Sequence, residues 1–103
     1  MFTDEMFAQR VMELREKRGV SARDMSLSIG QGAAYINNIE NNRNLPSMTG
    51  FFYICDYLKI EPSEFFDLKN ANPSKLNTLI ESIKDMNDEK LDALQKIVNQ
   101  MKW

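Results

Sequence analysis

Apolar residues recur at three- and four-residue intervals along most of the chain, and the breaks between these stripes divide it into helices. Phe7, Val11 and Leu14 mark a first helix, expected from about Asp4 to Arg18, where Gly19 supplies a stop and Lys17 and Arg18 face the negative end of the helix dipole. Ser21-Ala22-Arg23-Asp24 has the form of a capping box, so a second helix starts at Ser21 and is spent by Gly30, about two turns later. A third carries Tyr35, Ile36 and Ile39 and stops at Asn41-Asn42-Arg43-Asn44, ahead of Pro46. Ser47 caps a fourth, with Phe51, Ile54, Cys55 and Leu58 on one face. Glu61-Pro62-Ser63-Glu64 opens a fifth, whose Phe65 and Phe66 close the core. No stretch alternates with a period of two between hairpin turns, so the expected fold class is all-α.

The pattern lapses at residues 68–73 and then resumes. Asn72-Pro73 reads as the start of a sixth helix with Leu76, Leu79, Ile80, Ile83 and Met86 in one stripe, and Asn87-Asp88-Glu89 as the start of a seventh with Leu91, Leu94, Ile97, Val98 and Met101. This divides the chain into a unit at 1–67, a linker at 68–73 and an αα-hairpin at 74–103. The hairpin stripes either fold back on the first unit or meet a second copy. Leu27 and Trp103 add apolar surface without an obvious internal partner and favour a homodimer.

Composition then removes function classes. A chain of 103 residues, 43% hydrophobic, supports one modest core. With no histidine and only Cys55, which lies in the apolar run Phe51-Phe52-Tyr53-Ile54-Cys55, the usual parts of metal sites, neutral-pH proton relays and activated thiols are missing together. Gly30-Gln31-Gly32 follows a helix rather than a strand, so it is a turn and a permissive cap for the third helix, not a nucleotide fingerprint. Neither an enzyme nor a metal, cofactor or small-molecule site is expected. The start of the chain lacks a signal-peptide pattern and no segment suits a bilayer, which points to the cytoplasm. The formal charge of −2 gives no global attraction to nucleic acid. Between Arg10 and Lys59, however, seven basic residues face five acidic ones, and that region is locally positive.

Two short helices joined through a glycine, the second followed by a polar loop and a proline, have the form of a helix-turn-helix. Residues 7–67 resemble the Cro/XRE-type helix-turn-helix domains of bacterial and phage repressors. The resemblance rests on Leu14-Arg15-Glu16-Lys17-Arg18-Gly19-Val20-Ser21, Gly30, Tyr35-Ile36-Asn37-Asn38-Ile39-Glu40-Asn41, Leu45-Pro46-Ser47 and Glu64-Phe65-Phe66. It implies a five-helix, lambda-repressor-like domain, here followed by the helical hairpin, that binds double-stranded DNA as a transcription regulator of repressor type. It also implies a structural ion pair between Arg15 and Glu40.

The family's base-reading positions, transferred residue by residue, fall on Ala22, Gly32, Ala33, Ala34 and Asn38, with Asn37 and Gln31 beside them. Relatives usually carry glutamine, arginine, serine or lysine at several of these points. Each good bidentate contact is worth about 1 to 3 kcal/mol of discrimination, so the alanines weaken direct readout. Asparagine suits adenine and an alanine methyl suits a thymine methyl, which favours an A·T-rich site. Phosphate contacts fall to Arg23, Asn41, Asn42, Arg43 and Ser47, and to the backbone near Ala22 and Met48. The alternative is a protein-interaction module, of antitoxin or anti-repressor kind, whose DNA face has decayed.

Overall fold

The computed structural model describes residues 1–101; Trp103, expected to add apolar surface, lies outside them. Seven helices and no strand occur among the described residues: α1 Asp4–Arg18, α2 Ala22–Ser28, α3 Tyr35–Glu40, α4 Met48–Leu58, α5 Pro62–Phe66, α6 Pro73–Ile83 and α7 Asp88–Met101. The all-α expectation is met, and the caps expected at Ser21, Ser47 and Asn72 act where they were placed. The Ser21 hydroxyl accepts from the Asp24 amide at 3.0 Å and the Ser47 hydroxyl from the Gly50 amide at 3.0 Å. Asn72 does the same for Lys75 at 3.3 Å, so a helix start is fixed at each point by a side-chain acceptor for an otherwise orphaned amide.

Helices α1 to α5 each send at least one fully buried side chain into a common centre: Val11, Met25, Ile36, Ile54 and Phe65. Phe65 lies 4.9 Å from the Phe7 ring and edge-on to Phe51 at 5.0 Å, an aromatic cluster that seats α5 against α1 and α4.

The one charged residue in this interior is Arg10, 1% exposed. Its guanidinium donates to the carbonyls of Phe65 at 2.7 Å, Glu64 at 2.8 Å, Asp67 at 3.0 Å and Asn70 at 2.9 Å. A side chain of α1 thus satisfies the free carbonyls at the end of α5 and holds the first residues beyond it. Burial lowers the Arg10 pKa from its ordinary value, opposed by the fields of Glu13 and Asp67.

Beyond this unit α6 is tied down only at its start. Pro73 is buried, and the Asn77 amide donates to both carboxylate oxygens of Glu64, at 3.2 and 2.9 Å. Leu76, Leu79 and Ile80 on α6, and Leu91, Ile97, Val98 and Met101 on α7, stay 36% to 76% exposed. The chain is accordingly elongated, 50 Å in its longest extent with a radius of gyration of 16.7 Å. A compact chain of this length would have about 13 Å.

Candidate nucleic-acid interface

Helix α2 ends in a left-handed glycine: Gly30 has φ 78°, its amide donates to Leu27 O at 3.1 Å, and the Gln31 amide donates to Ser26 O at 2.9 Å. This pair of bonds is a Schellman stop, and glycine takes the positive φ without a steric cost. The chain then turns at Gly32, Ala33 and Ala34, and α3 begins at Tyr35. Gly32, expected to serve as the cap of the third helix, therefore lies with Ala33 and Ala34 in the turn ahead of it. None of the three has a side-chain oxygen to cap a helix.

The cap comes instead from α2. Ser26 is fully buried, its hydroxyl donating to Ala22 O at 2.7 Å and accepting from the Ile36 amide at 2.9 Å, the second amide of α3. A single hydroxyl therefore joins the two helices of the motif.

A further contact fixes α3. Arg15 and Glu40 form a two-pronged ion pair, Nε to Oε2 at 2.7 Å and Nη2 to Oε1 at 2.9 Å, and Arg15 Nη1 also donates to Val20 O at 2.9 Å. Both side chains are largely buried, 15% and 7% exposed, and the Glu40 bond raises the Arg15 pKa further. At the other end of α3, Tyr35 lies across α4. A Cβ on Gly50 would come within 2.5 Å of its hydroxyl, so the tip of Tyr35 rests where a larger residue would push it aside.

The surface held in this way is polar and largely uncharged. Gly32, Ala34, Asn37, Asn41, Asn42, Arg43 and Ser47 are exposed, and Gln31, Ala33 and Asn38 half-buried. Asn42 takes φ 59° and closes α3 with a second Schellman stop, the Arg43 amide donating to Asn38 O at 2.9 Å. The Asn41 amide group donates to Asn37 O and Oδ1 at 2.8 and 3.0 Å, and Arg43 Nη1 donates to Asn38 Oδ1 at 3.1 Å. These bonds order the asparagines and use the Asn41 NH₂ group, while the NH₂ groups of Asn37 and Asn38 and most of the Arg43 fork take no part in them.

Next to them, Ser47 takes the Gly50 amide and leaves the first-turn amides of Met48 and Thr49 at an exposed helix start. Arg23 is exposed on α2, whereas Ala22 packs against the core, so only its backbone remains near this face. Exposed donors are thus offered by Arg23 on α2, by the asparagines of α3 with Arg43 after it, and by the start of α4.

Three residues with structural roles escaped the sequence reading: Arg10 at the end of α5, Ser26 under α3 and Gly50 beside Tyr35. Arg10 falls three residues after Phe7 and four before Leu14, inside the apolar stripe, and that spacing signalled burial. Ser26, beside Met25 on a short helix, has the same signal in weaker form. Nothing in the sequence marks Gly50, because its partner Tyr35 is brought to it only by the fold. Among the described residues no group of three or more His, Cys, Asp or Glu side chains is placed to hold a metal ion, and no helix is long and apolar enough to cross a membrane.

The helix-turn-helix domain family matches residues 8–71, which span the whole of this site. Among solved structures the chain is similar to the restriction-modification controller protein C.AhdI from Aeromonas hydrophila, with 28% sequence identity and a TM-score of 0.58 over 61% of this chain and 91% of that one. No match was found among curated proteins. The turn at Gly30, the capped α3 and the polar face at its exposed side are therefore parts of a known scaffold, and the chain belongs to the XRE-type helix-turn-helix family of DNA-binding regulators.

Proposed function

We propose that the protein is a repressor-like transcription regulator of the cytoplasm that docks α3 in the major groove and binds a two-fold DNA site as a homodimer. The observation that carries this reading is α3 itself. Two tertiary contacts, from Ser26 and Arg15, hold a six-residue helix that carries Asn37 and Asn38, with Arg43 in the loop just beyond it. A helix that short has no stability of its own, and its immobilisation is what a reading element requires.

Asn37 and Asn38 are the base-reading side chains, with Gln31 and the methyls of Ala33 and Ala34 at the turn. Arg23, Arg43, Asn41, Asn42, Ser47 and the backbone near Ala22 and Met48 take phosphates. Asparagine pairs two-pronged with adenine, so the preferred half-site is A·T-rich. The similarity to a restriction-modification controller protein supports a regulatory rather than an architectural role.

Selection of bound duplexes from a random pool tests this directly. Enrichment of a two-fold, A·T-rich motif with half-sites about one helical turn apart is expected; retention without any sequence enrichment would contradict it. The turn residues Gly32, Ala33 and Ala34, which offer no hydrogen bonds from side chains, favour a second reading, a protein-interaction module on the same scaffold. On that reading the pool yields no bound DNA and a protein partner co-purifies in fixed ratio.

A further inference from the structure

Where α6 leaves the DNA-binding unit, the surface folds into a cavity of about 260 Å³, just under the roughly 300 Å³ at which ligand pockets begin. Its floor is apolar: Leu14 from α1, Leu58 at the end of α4 and Ile60 just after it, all buried side chains. Its rim is basic, with Lys17 and Arg18 at the end of α1 and Lys75 in the first turn of α6. No aspartate or glutamate lines it. The salt bridges among the described residues are Arg15–Glu40 and Lys84–Glu81, so Lys17, Arg18 and Lys75 have no carboxylate partner there. Arg18 is held instead by the Tyr57 ring, its guanidinium 5.2 Å from the ring centroid.

Like charges gathered over a concave apolar floor repel one another until an anion joins them. We infer that this cavity is a binding site for a small organic phosphate, a phosphomonoester with a compact apolar body. Such a head group carries a charge of about −1.5 to −2 and three acceptor oxygens. That suits three cations arriving from two helices, whereas the two oxygens of a carboxylate are filled by a single guanidinium fork. The Ser74 hydroxyl, half-buried in the same wall, adds a neutral donor. Leu14, Leu58 and Ile60 then receive the apolar body, and the volume suits one ring rather than several.

The cavity is separate from the DNA face. It lies at the far end of α4, about 15 Å along that helix from its start beside Ser47. Its cations come from α1 and α6, whereas those of the DNA face are Arg23 and Arg43, so the inference does not depend on the DNA reading. Lys17 and Lys75 meet only in the fold, which is why no small-molecule site was expected from the sequence. An anion held between them bridges α1 to α6, which is otherwise tied to the DNA-binding unit only through Pro73 and Asn77.

Phenyl phosphate is the probe, titrated into the full chain while the methyl NMR signals of Leu58 and Ile60 are followed, with inorganic phosphate and phenol as its two halves. The signals should shift and saturate, with an affinity at least about 10-fold above that for either half. Lys17 and Lys75 are exposed, so Lys17→Gln/Lys75→Gln should fold as the parent does and bind the probe about 10-fold or more weakly. Arg23→Gln/Arg43→Gln, on the DNA face, should leave probe binding unchanged. Three results would overturn the inference: no saturable shift, equal affinity for phenyl phosphate and inorganic phosphate, or binding that is lost in the Arg23/Arg43 variant and kept in the Lys17/Lys75 variant. None of them bears on the retention of DNA duplexes, so the DNA reading stands or falls separately.

Discussion

Removing the Ser26 hydroxyl leaves the Ile36 amide buried without an acceptor at the start of α3. An unpaired buried donor costs about 1 to 3 kcal/mol, so Ser26→Ala should lower the unfolding free energy by that amount in a urea titration and weaken DNA binding in parallel. Arg10 is a stronger case, because four carbonyls depend on one charged group. Arg10→Met fills similar space, yet it should cost about 3 kcal/mol, since it strips charged hydrogen bonds from the end of α5.

Titration gives a third outcome at this scale. Burial pushes the Cys55 thiol up to about 11 from 9.0, and it also raises the Tyr35 phenol. Below pH 9 folded and unfolded chains both keep the thiol proton and stability is complete. Between pH 9 and 11 only the unfolded chain ionises, so stability falls as pH rises. Cys55→Ala should remove this part of the alkaline loss, read as the difference between the two urea midpoints across that window.

Each helix is decided by its ends, and most of these were legible. Local caps such as Ser21, Ser47 and Asn72 sit one turn from the amide they satisfy, so periodicity plus a cap residue placed α2, α4 and α6. The start of α3 was not legible in the same way, because its capping hydroxyl lies ten residues earlier, on another helix. For the same reason the polar face of α3 was visible as a run of asparagines, while the Ser26 contact that holds it emerges only when the helices are brought together. The Arg15–Glu40 contact was anticipated through family resemblance and not from spacing, since 25 residues separate the pair.

Two substitutions probe the elements. Gly50→Ala puts a methyl against the Tyr35 hydroxyl and should turn that side chain outward, with a loss of about 1 kcal/mol read in a urea titration. Lys59 ends α4 at φ 58°, a conformation costly for a residue with a Cβ. Lys59→Gly should therefore raise the denaturation midpoint, by the equivalent of about 1 kcal/mol, without moving DNA affinity.

At the scale of the molecule, the helix-turn-helix unit carries the proposed DNA face, while α6 and α7 keep their apolar stripes exposed. Few cations line the DNA face, so each copy should show a shallow dependence of affinity on salt, and the dimer about twice that slope. Reading by α3 is the central claim, and it is tested most directly by measuring affinity for a selected duplex and for its scrambled counterpart, in the parent and in Asn38→Ala. The account predicts that the parent prefers the selected duplex and that Asn38→Ala loses about 1 to 3 kcal/mol of this preference while its affinity for scrambled DNA is unchanged. Equal affinity of the parent for both duplexes, or a preference untouched by the substitution, would contradict it.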